Sequence, residues 1–222
     1  MFTLIGMQWT FASVLFVLAQ GLVVAATDDG MTARWTQYRE AMRKDPALLR
    51  FYTFENVVNP TDPVYNVAPK DPNASLTFKL QPKPGVSNQS LSLIEGRWPG
   101  KKGVRLDQGY LAAPMFALAT RAFTATLWFR KNGPGVHRGN NETTNGTLIS
   151  LGNGYYDGWR VTTTYPERTL SFEIGRSKPA KSSIGIRSVD AAGDGAWHHL
   201  AAVWNGAEMR LYLDGMMSAI GM

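Results

Sequence analysis

Residues 123–130 set Phe123, Ala125, Leu127 and Phe129 against Thr124, Thr126, Trp128 and Arg130 in unbroken alternation. Successive side chains of an extended strand point to opposite faces, so this period of two buries one face and leaves the other for water. A helix would scatter the same residues around its circumference. Any fold for this chain therefore has to provide a half-buried strand here, with an apolar layer to cover Phe123, Ala125, Leu127 and Phe129.

Similar short runs recur from residue 48 onward. Extended segments are expected at 49–54, 76–80, 103–107, 147–151, 159–163, 169–175, 182–188, 197–204 and 208–213. Leu170, Phe172 and Ile174 share one face of their run, and Leu200, Ala202 and Trp204 share one face of theirs. Asp214-Gly215 is a tight hairpin signal, because glycine accepts the positive φ such turns need. Residues 56–75 and 131–146, rich in Asn, Pro, Asp or Gly, read as long loops. Many short strands with no helical pattern between them argue for an all-β, antiparallel β-sandwich over residues 48–222. The alternation alone does not distinguish a jelly roll from an immunoglobulin-like arrangement.

The chain has 222 residues, of which 44% are hydrophobic and 18% charged, enough for one core and too apolar for a disordered chain. It contains no cysteine, which excludes disulfides, thiolate metal sites and cysteine nucleophiles. The formal charge of +6 is compatible with nucleic acid, anionic lipid or acidic polysaccharide. The Lys and Arg residues are scattered and form no long basic run interleaved with aromatics, which argues against nucleic acid as a partner.

Residues 11–26 form an uncharged apolar run ending in Val24-Ala25-Ala26, small residues of the kind found before a signal-peptidase cut. Residues 1–27 are accordingly read as a hydrophobic N-terminal helix, either a cleaved signal peptide or an uncleaved membrane anchor. Both readings make the rest of the chain extracytoplasmic: secreted, periplasmic or membrane-anchored. Residues 28–47 follow as a short amphipathic helix, with Met31, Trp35, Tyr38 and Met42 on one stripe and Asp45-Pro46 as its stop. That stripe suits either an interfacial helix at a membrane surface or a linker helix docked on the sandwich.

Several stretches resemble the laminin-G-like (concanavalin A-like lectin/glucanase) domains found in bacterial cell-envelope proteins. Phe123-Thr124-Ala125-Thr126-Leu127-Trp128 resembles their "F-T-x-x-x-W" strand. Trp197-His198-His199-Leu200-Ala201 resembles "W-H-H-V-A", and Leu211-Tyr212-Leu213-Asp214-Gly215 resembles "L-Y-V-D-G". Gly146-Thr147-Leu148-Ile149-Ser150 is similar to "G-x-L-I-S", and Tyr52-Thr53-Phe54-Glu55 to the opening "Y-x-F-D/E" strand. The resemblance runs in order from about residue 48 and implies a concanavalin-like jelly roll. It also implies a further strand after the "D-G" hairpin. Only seven residues follow Gly215, so the sandwich is expected to be short of a strand at its C-terminal end.

For chemistry, residues 152–159 (Gly-Asn-Gly-Tyr-Tyr-Asp-Gly-Trp) are the most suggestive loop. Tyr155, Tyr156 and Trp159 offer aromatic faces for the apolar side of a sugar ring, and Asn153 and Asp157 offer polar contacts to hydroxyls. Asn153 and Asp157 also supply hard oxygen donors of the kind calcium takes, as in some relatives. The competing reading is a loop whose Tyr and Trp cap the core. His198 and His199 are adjacent on a strand, point to opposite faces and cannot share a metal ion. No Glu is followed two residues later by Asp, so the E-x-D-x-x-E pattern of the fold's endoglucanases is missing. Walker, H-E-x-x-H and G-x-S-x-G motifs are missing too. The expected function is a non-catalytic module that binds carbohydrate or a cell-surface glycoconjugate. The alternatives are a structural or adhesion domain that binds an envelope protein, and a divergent glycoside hydrolase.

Overall fold

The computed structural model describes residues 2–6, 28–80, 90–98, 100–107, 109–116, 122–131, 146–152, 157–164, 168–176 and 182–221. Its centre is a six-stranded antiparallel sheet that faces a four-stranded one. The larger sheet contains β1 (Phe2–Gly6), β2 (Leu48–Tyr52), β7 (Phe123–Arg130), β12 (Trp197–Trp204), β13 (Met209–Leu213) and β14 (Met216–Gly221), in the order β14-β13-β12-β7-β1-β2. The smaller contains β8 (Gly146–Leu151), β9 (Trp159–Thr163), β10 (Leu170–Arg176) and β11 (Ser182–Arg187), in the order β11-β10-β9-β8. Two ribbons complete the fold: β3 (Thr77–Leu80) with β6 (Gly109–Ala112), and β4 (Ser90–Glu95) with β5 (Lys102–Asp107).

The sandwich follows from the alternation. Phe123, Ala125, Leu127 and Phe129 of β7, with Leu200 and Ala202 of β12 and Met209, Leu211 and Leu213 of β13, form one side of the core. Trp159 and Val161 of β9 and Leu170 and Phe172 of β10 form the other. All are buried, and burial of a side chain of this size contributes roughly 1.5–3 kcal/mol. The β13–β14 hairpin turns on Asp214 (φ 52°) and Gly215 (φ 84°), both left-handed, as a tight two-residue hairpin requires.

Residues 53–76 form the expected long loop. Asn66 secures it: its side-chain Oδ1 accepts the amides of Phe51 (2.8 Å) and Ala68 (3.1 Å), and its Nδ2 donates to the Asp71 carbonyl (2.7 Å). Arg50, itself buried, reaches Asp71 at 2.9 Å.

The helix α1 (Asp28–Lys44) turns its apolar stripe to the sandwich. Trp35 and Met42 pack against Leu48 and Phe51, and Tyr38 meets Phe51 edge-on. Trp35 and Met42 of that stripe pack on protein, as a docked helix requires, while Tyr38 stays partly exposed.

The hydrophobic N-terminal helix needs correction at its start. Phe2–Gly6 is a strand, antiparallel to both β2 and β7, with Phe2 opposite Tyr52 and Leu127. Five residues with Phe, Thr and Ile fit an extended segment as well as the start of an apolar helix, and a place between two strands decides the matter by supplying ladder partners on both sides. The apolar run 11–26 lies outside the described residues. Among the described residues no helix is long and apolar enough to cross a membrane. Residues 216–221, for which no strand is expected from the sequence, form β14 and pair with β13.

Candidate functional site

The outward face of β7 and β12 carries the residues that the core does not use. Strand register places His199 opposite Trp128 and Trp197 opposite Arg130, all on the face away from the second sheet. Trp128 and the His199 ring lie 5.0 Å apart, centroid to centroid. The turn between β4 and β5 brings Trp98 against Trp128, ring edge to ring face, at 5.2 Å. Trp35 of α1 stacks on Trp98 at 6.2 Å, so an aromatic row runs Trp35, Trp98, Trp128, His199. At the end of this row Arg97, Trp128, Trp197, His199, Asp214 and Gly215 line an open cleft of about 460 Å³.

Glu55 fixes the turn that carries Arg97 and Trp98. Its carboxylate accepts hydrogen bonds from Lys101 Nζ (2.7 Å), Trp35 Nε1 (2.7 Å) and Arg39 Nη1 (2.8 Å). Burial opposes the charged form of Glu55, but these donors outweigh it and hold its pKa down at about 2. Within the turn, Gly96 donates to the Lys101 carbonyl (2.6 Å) and Lys101 to that of Trp98 (3.1 Å).

On the other side of the cleft, Asp214 ties the β13–β14 turn to β12. Its Oδ1 accepts the His199 amide (2.8 Å), and its own amide donates to the His199 carbonyl (2.8 Å). Its Oδ2 lies 2.7 Å from His198 Nδ1, and Asp194 Oδ1 lies 3.0 Å from His198 Nε2. A ring with a carboxylate at each nitrogen is best satisfied as the doubly protonated imidazolium, which donates to both. Burial works against that charge, but the hydrogen bonds and charges of Asp214 and Asp194 overcome it and raise the His198 pKa. His199 has no such pair; burial against Trp128 lowers its pKa. The two histidines do point to opposite faces, with His198 buried on the core side.

The loop singled out from sequence fares differently. Asn153, Tyr155 and Tyr156 lie outside the described residues. Asp157 is exposed in the turn before β9. Trp159 has to be removed from the set of ligand-facing aromatics: it is 2% exposed and stacks on Phe123 at 4.8 Å, so its ring belongs to the core. Its place as the first residue of β9, on the face shared with Val161, puts it inside. The loop closes at its base on Gly158 (φ 72°), where a Cβ would fall 1.8 Å from the Leu151 carbonyl oxygen. Of the two proposed calcium donors only Asp157 is described, and among the described residues no group of three acidic or His side chains converges on a cation position.

Sequence reasoning passed over Trp128, Trp197, His199 and Arg97 as site residues. The available signal was the outward half of the two strongest alternations. Positions 128 and 130 on one strand and 197 and 199 on the next are all aromatic or basic, where a solvated face usually carries Thr, Ser, Lys or Glu.

Glu173, the acid inside β10, is engaged by Arg160 through Nε (2.9 Å) and Nη2 (2.7 Å) and by the Ser171 hydroxyl (3.2 Å). Its carboxylate is held as a structural partner.

Compared with known proteins, residues 105–221 match a laminin-G-type family model described as the concanavalin A-like lectin/glucanases superfamily, a little over half of the chain. No curated protein matches it.

Proposed function

The chain belongs to the concanavalin A-like lectin/glucanases superfamily, and from that premise we propose that it is a non-catalytic carbohydrate-binding module whose sugar-stacking surface is the Trp128–Trp197–His199 cleft. The supporting observation is the outward aromatic row Trp98, Trp128, His199, which ends in an open cleft beside a carboxylate. A pyranose ring presents an apolar C–H face and a polar rim. Indole and imidazole rings match the face, and Asp214, the arginines and turn amides match the rim. Calcium at Asn153 and Asp157 is a subsidiary part of the proposal, tested by chelation in the same assay. So is passage across a membrane, which the apolar run 11–26 favours.

A screen of immobilised oligosaccharides, followed by calorimetry on those that bind, tests the reading. Trp128→Ala removes the central stacking ring and should weaken binding by about tenfold or more. Circular dichroism should stay unchanged, because Trp128 lies on the outer face. Uniform background across neutral and acidic glycans with the wild-type chain would remove the proposal.

One observation favours a second reading, an adhesion domain that engages an envelope protein. The edge strand β14 exposes Met216 (74%), Met217 (55%) and Ile220 (53%), apolar side chains beside unpaired backbone groups. Met216→Lys with Ile220→Lys would abolish such an interface and leave glycan binding intact.

A further inference from the structure

Arg97 lines the cleft and Arg130 lies over its Trp197, and among the described residues neither has an acidic partner. Arg97 is exposed; its guanidinium carbon lies 5.5 Å from the Trp128 ring centroid and 5.9 Å from that of Trp98. Arg130, also exposed, lies 5.3 Å from the Trp197 centroid. Among the described residues no carboxylate forms an ion pair with either, although Arg39, Arg50, Arg105, Arg160 and Arg210 all have one.

The carboxylate that lines the cleft, Asp214, is held by other partners. One oxygen of Asp214 accepts the His199 amide and the other lies against His198. Asp194, the second acid on His198, also accepts the Ala196 amide at 2.8 Å. The acids around the cleft thus share His198 as their partner, while among the described residues neither guanidinium has a carboxylate. At these distances the rings attract each guanidinium as a cation–π contact, which acts on its charge and does not use its N–H donors.

We propose that the ligand of this cleft is an acidic glycan, with a sugar ring against Trp128 and Trp197 and a carboxylate or sulfate group between Arg97 and Arg130. This inference rests on the carbohydrate-binding reading above and specifies its substrate class. The shared chemistry is a planar or tetrahedral oxyanion on a saturated ring, which the arginine fork binds through paired N–H donors. Opposite charge also favours it: the chain carries a formal +6.

Calorimetry with the full chain tests this with four probes at equal ring number: an oligogalacturonate, a sulfated galactan oligomer, a neutral cello-oligosaccharide and a single-stranded oligonucleotide. At least one acidic glycan should bind about tenfold or more tighter than the neutral one. That preference should shrink as salt rises. Arg97→Gln or Arg130→Gln should lower acidic-glycan affinity far more than neutral-glycan affinity, so that the two converge, and Arg→Lys at either position should restore the preference only in part, because lysine keeps the charge and loses the fork. The carboxylate and sulfate arms identify the oxyanion. Equal affinity for acidic and neutral sugars, unaffected by either Gln variant, would overturn this inference and leave the carbohydrate-binding reading standing. Preference for the oligonucleotide would overturn it as well, and failure of every sugar would sink both.

Discussion

Adjacent on β12, His198 and His199 have opposite electrostatic surroundings, because a strand turns consecutive side chains to opposite faces. The His198 ring bridges Asp194 and Asp214, which stabilise its charged form; the His199 ring sits among Trp128, Trp197 and the turn, where burial disfavours charge. Their midpoints should therefore straddle the ordinary 6.5, with His198 above and His199 below. The consequences for stability have opposite signs. The His198 contribution is fully present below 6.5 and is lost as pH rises through its elevated folded value. His199 stays neutral when folded, so its contribution is lost as pH falls from 6.5 through its depressed folded value. Ring-proton NMR titration of the wild type and of Asp214→Asn checks this. The substitution should lower the His198 midpoint, and two coincident midpoints in the wild type would show that the bridge does not form in solution. Of the two, the histidine that lines the cleft is the one whose neutral form is favoured.

At the scale of elements, Glu55 is the point where α1, the end of β2 and the β4–β5 turn are joined. Three donors converge on one carboxylate, so its folded pKa of about 2 lies well under the usual 4.5. A depressed acid stabilises above its unfolded pKa and loses that contribution as pH falls through the folded one, so the window here is about pH 4.5 down to 2. The gap corresponds to roughly 3 kcal/mol, since each pKa unit is worth about 1.4 kcal/mol. Glu55→Gln should lower the urea midpoint at pH 7 and flatten the acid limb of the stability curve, and a parallel acid limb in both proteins would show the carboxylate to be incidental. The elements it joins were unevenly legible beforehand. β7, β9 and β12 were read to the residue, because each alternates and each has a core to cover. β4 (Ser90–Glu95) was missed. It pairs only in a two-stranded ribbon and is nowhere fully buried, so its alternating Leu91 and Leu93 never stand out from their surroundings. The site was legible in its parts but not as a whole. Trp128 and His199 could be placed on outward faces from periodicity, but their meeting with Arg97 and Asp214 depends on strand order, which no local pattern encodes. Trp159 misled for the same reason: a Trp beside a Gly-rich loop looks exposed until the register assigns it to the inner face.

For the whole molecule, the question is how the larger sheet holds together between β7 and β2. Each pairs with β1, so Phe2–Gly6 forms the only ladder joining them among the described residues. This gives the N-terminal segment two incompatible roles. A cut after Ala26 would release β1 and divide the sheet, leaving two unpaired edges where a continuous one had been. A retained segment keeps the sheet whole only if residues 11–26 return to the side they left, because a single span there would put β1 and β2 on opposite sides of a bilayer. The role of β1 can be tested directly because the chain has no cysteine of its own. Thr3 and Thr126 are register partners, and directly opposed positions on neighbouring strands come within about 5.5 Å, in reach of a disulfide. Thr3→Cys with Thr126→Cys should therefore close an intrachain disulfide under mild oxidation, found by peptide mapping without reductant, and should raise the thermal midpoint. Thr3→Cys with Ala125→Cys, one register position off and on the opposite face, should not close. If both pairs link equally, or only between molecules, then β1 does not occupy this place and the leader is dispensable to the fold. If only the first pair closes, the strand belongs to the sandwich, and neither a cut after Ala26 nor a single bilayer span through residues 11–26 is compatible with that place.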